Sequence, residues 1–304
     1  MATPSFSICF VILVLGLAPA PGYTQTGLPA PAPDSRASDG ARRAPGLAAA
    51  VNSKQPFGLT DNRELVYRLL DANGKTTGEL RQRVVQLKQQ EREEKKKQLV
   101  PENTALLKSG LYDKQKTLEH LQDLTFRARR DTCFTDGMAY VNFDALRSFR
   151  DRKTAYEAVP LAWPNQPTAG SELPPGGVTV KVSSSVVDIA SVSTTLRNRR
   201  VLDGPKPVTT PAGTFSCYQV EAEREEATVP RPDMALRTTL RQVDFYAPNV
   251  GIVRTELYDK KGKLSQVCEL TSRSPATGPK SKSKSKTSTK SKGSPKVKYK
   301  TKKS

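Results

Sequence analysis

Over long stretches between residues 56 and 273, apolar and polar side chains alternate one for one. In "IASVSTTLRNRR", Ala190, Val192, Thr194 and Leu196 fall on one side, and Ser191, Ser193, Thr195 and Arg197 on the other. A period of two marks a half-buried β-strand, because successive side chains leave a strand on opposite faces. "GIVRTELYD" and "KLSQVCELTS" read the same way. One local pattern occurs three times, in "RLLDANGKTTGEL" (Arg68–Leu80), "GLYDKQKTLEHL" (Gly110–Leu121) and "ELYDKKGKLSQV" (Glu256–Val267). Each sets an apolar residue, an Asp and a Lys around a tight reversal. An Asp side chain can accept from backbone N–H groups ahead of it, and Gly or Asn tolerates positive φ, so all three predict hairpin turns. The middle copy carries Gln115 and reads as one residue shorter, which makes it the weakest. Thr210 to Gly213 predicts a type I turn, with Pro211 second and Gly213 fourth.

The predicted class is therefore mainly β, a curved antiparallel sheet with one or two short helices. Gln82–Val100, "QRVVQLKQQEREEKKKQLV", favours helix by propensity. Val141–Arg152 predicts a short helix capped by Asn142. Ala155 to Gly177 holds several prolines and reads as a long loop. Trp163 in that loop could cover the concave face of the sheet, but filling the core is the favoured reading.

The flanks differ. Ile8 to Leu17 is apolar but too short to cross ~30 Å of hydrocarbon as a helix. Small residues follow it, so residues 1–22 predict a signal peptide, with Ala20 and Gly22 at the small-residue positions. The leader lacks Lys and Arg, an irregularity, and Cys9 stands at the start of the apolar run rather than its end, against a lipid anchor. Residues 23–55, rich in Ala, Pro, Gly and Ser, predict a disordered linker, and residues 274–304 a disordered basic tail. The domain between them runs over residues 56–273. The net charge of +19 shrinks once the tail is set aside, since Arg273 to Ser304 supplies twelve Lys and Arg and no acid.

The catalytic inventory is sparse. His120 is the only histidine and belongs to no nucleophile-bearing motif, so it reads as a surface-strand residue. Scattered cysteines and one histidine do not make a zinc site. The Gly-Lys-Thr of "DANGKTTGEL" lacks the first glycine of a phosphate loop. No cofactor is expected, and the protein reads as non-enzymatic. A hydrolase with paired carboxylates remains a third reading, requiring two acids facing each other in a cleft.

The C-terminal motifs add a resemblance. "KPVTTPAGTFSCYQV" and "FYAPNVGIVRTELYDKKGKLSQVCELTS" resemble the TapB family of exported Gram-negative bacterial proteins. The residues that carry it are Thr210, Pro211, Ala212, Gly213, Phe215 and Cys217; then Tyr246, Pro248 and Gly251; then Asp259, Gly262 and Lys263. "TCFTDGMAYVNFDAL" adds Cys133 and Gly137. The resemblance covers about Phe57 to Thr271 and implies a half-open β-barrel like that of lipoprotein carriers, with no established reaction. The Lys-rich tail, the "EREEKKK" stretch and the second hairpin depart from it.

Export implies an oxidising compartment, where thiols tend to pair. Cys133, Cys217 and Cys268 survive leader removal, so at least one stays unpaired within the chain. If the strands meander in order, Cys133 is the better partner for Cys217; a buried free thiol is the alternative. Arg197, Arg199 and Arg200 read as a solvated strand face rather than an anion site. These features point to an exported periplasmic or extracellular protein that binds or carries a lipid or other apolar, envelope-derived ligand. The runner-up is a protein tethered to anionic envelope polymers by Lys280, Lys282, Lys284, Lys286, Lys290 and Lys292. Neither a specific nucleic-acid partner nor a mature transmembrane segment is expected.

Overall fold

The structure, a computed structural model, describes residues 55–93, 99–149, 151–184, 187–231 and 234–275. The expected leader, most of the linker and the tail lysines lie outside these residues. The strands are β1 (Arg63–Asp71), β2 (Thr76–Glu93), β3 (Leu99–Asp113), β4 (Leu118–Arg129), β5 (Thr132–Thr135), β6 (Lys153–Val159) and β7 (Leu161–Pro164). They continue with β8 (Glu172–Leu173), β9 (Gly176–Ser184), β10 (Val187–Thr210), β11 (Gly213–Arg231), β12 (Met234–Ala247), β13 (Gly251–Tyr258) and β14 (Leu264–Pro275). One short helix, α1, spans Phe143–Leu146.

The strands form one sheet in the order β6-β9-β10-β11-β12-β13-β14-β1-β2-β3-β4-β5-β7, with β8 beside β10. Every pairing is antiparallel, and the sheet curls into a nearly closed barrel. The domain's first and last strands, β1 and β14, meet in the middle of this order, from Arg63 opposite Pro275 to Asp71 opposite Gln266. Alternation places the core inside. On β10, Ala190, Val192, Thr194 and Leu196 are buried, as their spacing predicts.

All three Asp turns form. Asp71 accepts from the N–H of Asn73 and Lys75, Asp113 from Gln115 and Thr117, and Asp259 from Lys261 and Lys263. The middle turn is not shorter, contrary to its sequence reading. Lys116 occupies the position held elsewhere by Gly74 and Gly262, and takes φ +64 there. The Asn142 cap also forms, its Oδ1 accepting from the Ala145 N–H at 3.0 Å.

Two expected elements fail. Within the expected helix over Gln82–Val100, the described residues are instead the far half of β2 and the start of β3, paired from Val84–Leu107 out to Glu93–Leu99, and residues 94–98 lie outside the described residues. Helix propensity amounts to a few tenths of a kcal/mol per residue, and the cross-strand partners supplied by β3 outweigh it. The expected loop over Ala155–Gly177 contains β6, β7 and β8. Its prolines fit because Pro160, Pro167, Pro174 and Pro175 fall between strands and Pro164 ends β7, an end strand of the sheet.

Those two ends are brought together without pairing to each other. The 3-10 turn Gly137–Tyr140 follows β5 and lies against β6 and β9. A Cβ on Gly137 would sit 2.2 Å from the Gly177 carbonyl oxygen, so only glycine permits this backbone-to-backbone approach. Trp163 on β7 is fully buried, as core filling requires, and its indole N–H donates to Thr135 Oγ1 at 2.9 Å. Tyr246 on β12 donates its hydroxyl to the Pro164 carbonyl at 2.8 Å. Arg199, expected on a solvated face, is 1 % exposed and donates to the carbonyls of Pro174 (2.9 Å) and Ala162 (3.1 Å). Asn198 at φ +49 breaks the alternation of β10, and this turns Arg199 inward while Arg197 and Arg200 stay outside.

Candidate functional site

The barrel encloses a chamber of about 270 Å³. Its walls are the inward rows of β1, β2, β13 and β14, with Leu65, Tyr67, Leu80 and Ile252 among them. Phe57 and Leu59 close it from the N-terminal side, where Phe57 meets Phe126 edge-on at 5.8 Å. Most of the lining is apolar because the period-2 pattern of each strand sends its apolar side inward.

One wall of the chamber is polar, formed by Arg224, Gln242 and Thr255. Behind it Asp244, 1 % exposed, accepts from Thr255 Oγ1 at 2.6 Å and from Gln242 Nε2 at 2.7 Å. Gln242 in turn accepts from Arg224 at 3.4 Å, and Arg224 pairs with Glu226 at 2.7 Å. Burial pushes the Asp244 carboxyl above its ordinary range, against the lowering effect of its two hydrogen bonds. Burial likewise raises Tyr140, which lines the same chamber. Gln82, Thr135 and Gln266 add to the polar lining.

A side chamber of about 150 Å³ adjoins the first and shares Leu69, Leu80 and Ala139 with it. Ser109, His120 and Gln122 line it. His120, expected at the surface of its strand, instead faces inward and stacks on Phe143 of α1, with ring centroids 4.1 Å apart. The register of β3 and β4 puts Ser109 opposite Gln122.

Cys133, Cys217 and Cys268 are all free thiols. The expected Cys133–Cys217 bridge is not formed, although both residues belong to one core cluster. Cys133 Sγ instead accepts from the Phe57 N–H at 3.4 Å, and Cys217 points its thiol at the Phe215 carbonyl. Burial pushes Cys133 up to about 11, and Cys217 and Cys268 up to about 12. A nucleophilic thiol needs the opposite shift, so these three are packing residues.

A larger cleft of about 1000 Å³ lies on the outer face, lined by Arg197, Arg200, Arg241, Glu221, Glu223 and the Asp259 turn. Most of its arginines are paired with acids. Arg200 and Arg241 both hold Glu221, which lowers that carboxyl, and Arg197 holds Glu223 and Glu225. Exposed pairs of this kind contribute ~0–1 kcal/mol each. Despite its size, this cleft presents an open surface of largely paired charges, so the smaller inner chamber is the better site candidate.

The motif residues serve the frame. Thr210 Oγ1 accepts from the Ala212 N–H in the turn that contains Pro211, and Gly213 follows at φ +128. Phe215 and Tyr246 pack in the core cluster, and Pro248 sits in the β12–β13 turn. Gly251 lies against the Phe57 ring at φ +98; Asp259, Gly262 and Lys263 form the last hairpin. No group of three metal-ligating side chains occurs among the described residues. No helix among them is long and apolar enough to cross a membrane.

A family model described as DUF3108-like matches residues 61–270. The chain belongs to the DUF3108-like family. That match does not confirm the narrower TapB resemblance. Among curated proteins none matches the chain. Two crystal structures share the fold. One is of a "putative lipoprotein" from Parabacteroides distasonis, at 19 % identity and TM-score 0.57, covering 73 % of this chain and 98 % of that one. The other is of a "putative exported protein" with a YmcC-like fold from Bacteroides fragilis, at 19 % identity and TM-score 0.52, covering 72 % and 99 %.

His120 apart, the polar residues that line the chambers were not singled out in the sequence. Gln82, Ser109, Gln122 and Gln242 stand at inward positions of strands, yet read alone as ordinary polar residues. Their signal is a polar residue where alternation calls for an apolar one.

Proposed function

We propose that this DUF3108-like protein is an exported, non-catalytic barrel of the cell envelope that carries a small apolar ligand in its inner chamber. The observation behind this reading is the space of about 270 Å³ left inside an apolar barrel. Close-packed protein interiors leave few voids larger than a water molecule, and a mostly apolar chamber with a few polar groups is the usual form of a small-molecule site. Export is supported by the leader-like residues 1–22 and by the names of the two structures of like fold. The motifs from Thr210 to Lys263 support a TapB-type member of the family. Native mass spectrometry of the mature protein, purified from the envelope of its own cell, tests the reading. A bound species of a few hundred daltons is the expected result. Only the bare chain, with no binding of an apolar dye, would defeat it.

The twelve basic residues of Arg273–Ser304 support a second role, attachment to anionic envelope polymers. Removing residues 278–304 should then abolish retention on lipopolysaccharide at low salt; unchanged retention eliminates the tether.

A further inference from the structure

The inner chamber explains the apolar part of a ligand and leaves the side chamber without a role. Ser109 Oγ and Gln122 Oε1 are both buried there and have no hydrogen-bond partner. Ser109 is 2 % exposed, and the two residues lie directly opposite each other on β3 and β4. Buried polar atoms are nearly always paired, and an unpaired one carries a desolvation cost that a bound group can relieve.

We propose that the side chamber receives the uncharged, hydroxyl-bearing head of a single-chain amphiphile whose hydrocarbon chain occupies the inner chamber. This rests on reading the inner chamber as an apolar ligand site. The shared residues Leu69, Leu80 and Ala139 make the two spaces neighbours, as head and chain require. The charge of the head follows from the lining, which contains no Lys, Arg, Asp or Glu. An ionised head would lie there with no lysine, arginine or carboxylate to pair with it, at high desolvation cost. A hydroxyl both donates and accepts. It can therefore donate to Gln122 Oε1 and exchange with the Ser109 hydroxyl, which has the same dual capacity. His120, held flat against Phe143, adds a ring nitrogen to the same lining.

The volumes suit this division. At ~30 Å³ for each water-sized group, the side chamber holds roughly five groups and the inner one roughly nine. A glycerol-sized head on a chain of about ten carbons fits both.

Competition against N-phenyl-1-naphthylamine fluorescence on the full mature chain tests the proposal, with 1-decanoylglycerol and decanoate as competitors. The glyceride should displace the dye at about tenfold lower concentration than decanoate, since the two share a chain and differ in the head. Ser109→Ala combined with Gln122→Leu should erase that preference, leave dye affinity unchanged and leave the melting temperature equal or higher. If the double variant fails to fold, Ser109→Ala alone must reduce the preference. Dye binding with equal competition by the two ligands, or a preference that survives the substitutions, overturns the head site and leaves the apolar reading standing. So does a fall in melting temperature with the preference intact, which would mean that the pair holds a structural water. If neither dye nor decanoyl ligands bind, the apolar reading fails and takes the head site with it.

Discussion

The guanidinium of Arg199 lies 4.7 Å above the ring of Trp163, joining β10 to β7, strands near opposite ends of the sheet order. With its two bonds to the carbonyls of Ala162 and Pro174, this contact holds the seam of the barrel where no strand pairing does. Arg199→Leu removes both charge-assisted bonds and leaves two carbonyls unpaired. At ~1.5–3 kcal/mol for a hydrogen bond to a charged group, the expected loss is about 3 kcal/mol in urea denaturation. Arg199→Lys should recover only part of it, because an ammonium cannot reproduce the planar fork. A loss below ~1 kcal/mol would mean the seam is held by other contacts.

Asp244 sets a pH dependence of known sign. Its carboxyl is raised in the folded protein, chiefly by burial. The native state therefore holds this proton more tightly than the unfolded chain does. The resulting stability is fully present below the ordinary carboxylate value of ~3.9 and is lost as pH rises through the raised folded value. Asp244→Asn cannot titrate, so its urea midpoint should gain on the wild type as pH increases from 4 to 8. Parallel midpoints across that range would show that Asp244 is not shifted.

Lys116 takes φ +64 in a turn whose two siblings use glycine at φ +76 and +75. The left-handed region costs an L-residue ~1–2 kcal/mol, partly offset by the extra freedom of an unfolded glycine. Lys116→Gly should raise stability by about 0.5–1 kcal/mol, read as a shift in midpoint with unchanged slope. A decrease would mean that the Lys116 side chain contributes more than its backbone costs.

The thiols should behave as buried and unpaired. In native protein at pH 8, Cys133, Cys217 and Cys268 should resist a thiol reagent, with all three reacting once the chain is denatured. Reductant should leave the melting temperature unchanged. A shift of several degrees on adding reductant would reveal a disulfide.

How much was legible follows from the range of each interaction. Asp71, Asp113 and Asp259 bond to backbone within four residues, and Asn142 caps Ala145 three residues on, so short windows of sequence carried them. The alternation that buries Val192 and Leu196 is equally local. Gln82–Val100 misled because its exposed, helix-favouring residues reveal nothing of β3, the partner that makes them a ribbon. Cys133 and Cys217 misled because sharing a core cluster does not bring two thiols to bonding distance, and no spacing in the sequence reports that distance. Ser109 and Gln122 are thirteen residues apart, and only the β3–β4 register makes them a pair.

The amino-acid sequence alone determined that the chain would form hairpin-linked strands with one apolar side, because side-chain direction and turn chemistry are decided within a few residues. Tertiary structure decided the pairing of β1 with β14, the burial of Arg199 and the chambers between the walls. These join residues tens to hundreds of positions apart. They follow from how the whole sheet curls, which no single stretch of the chain contains.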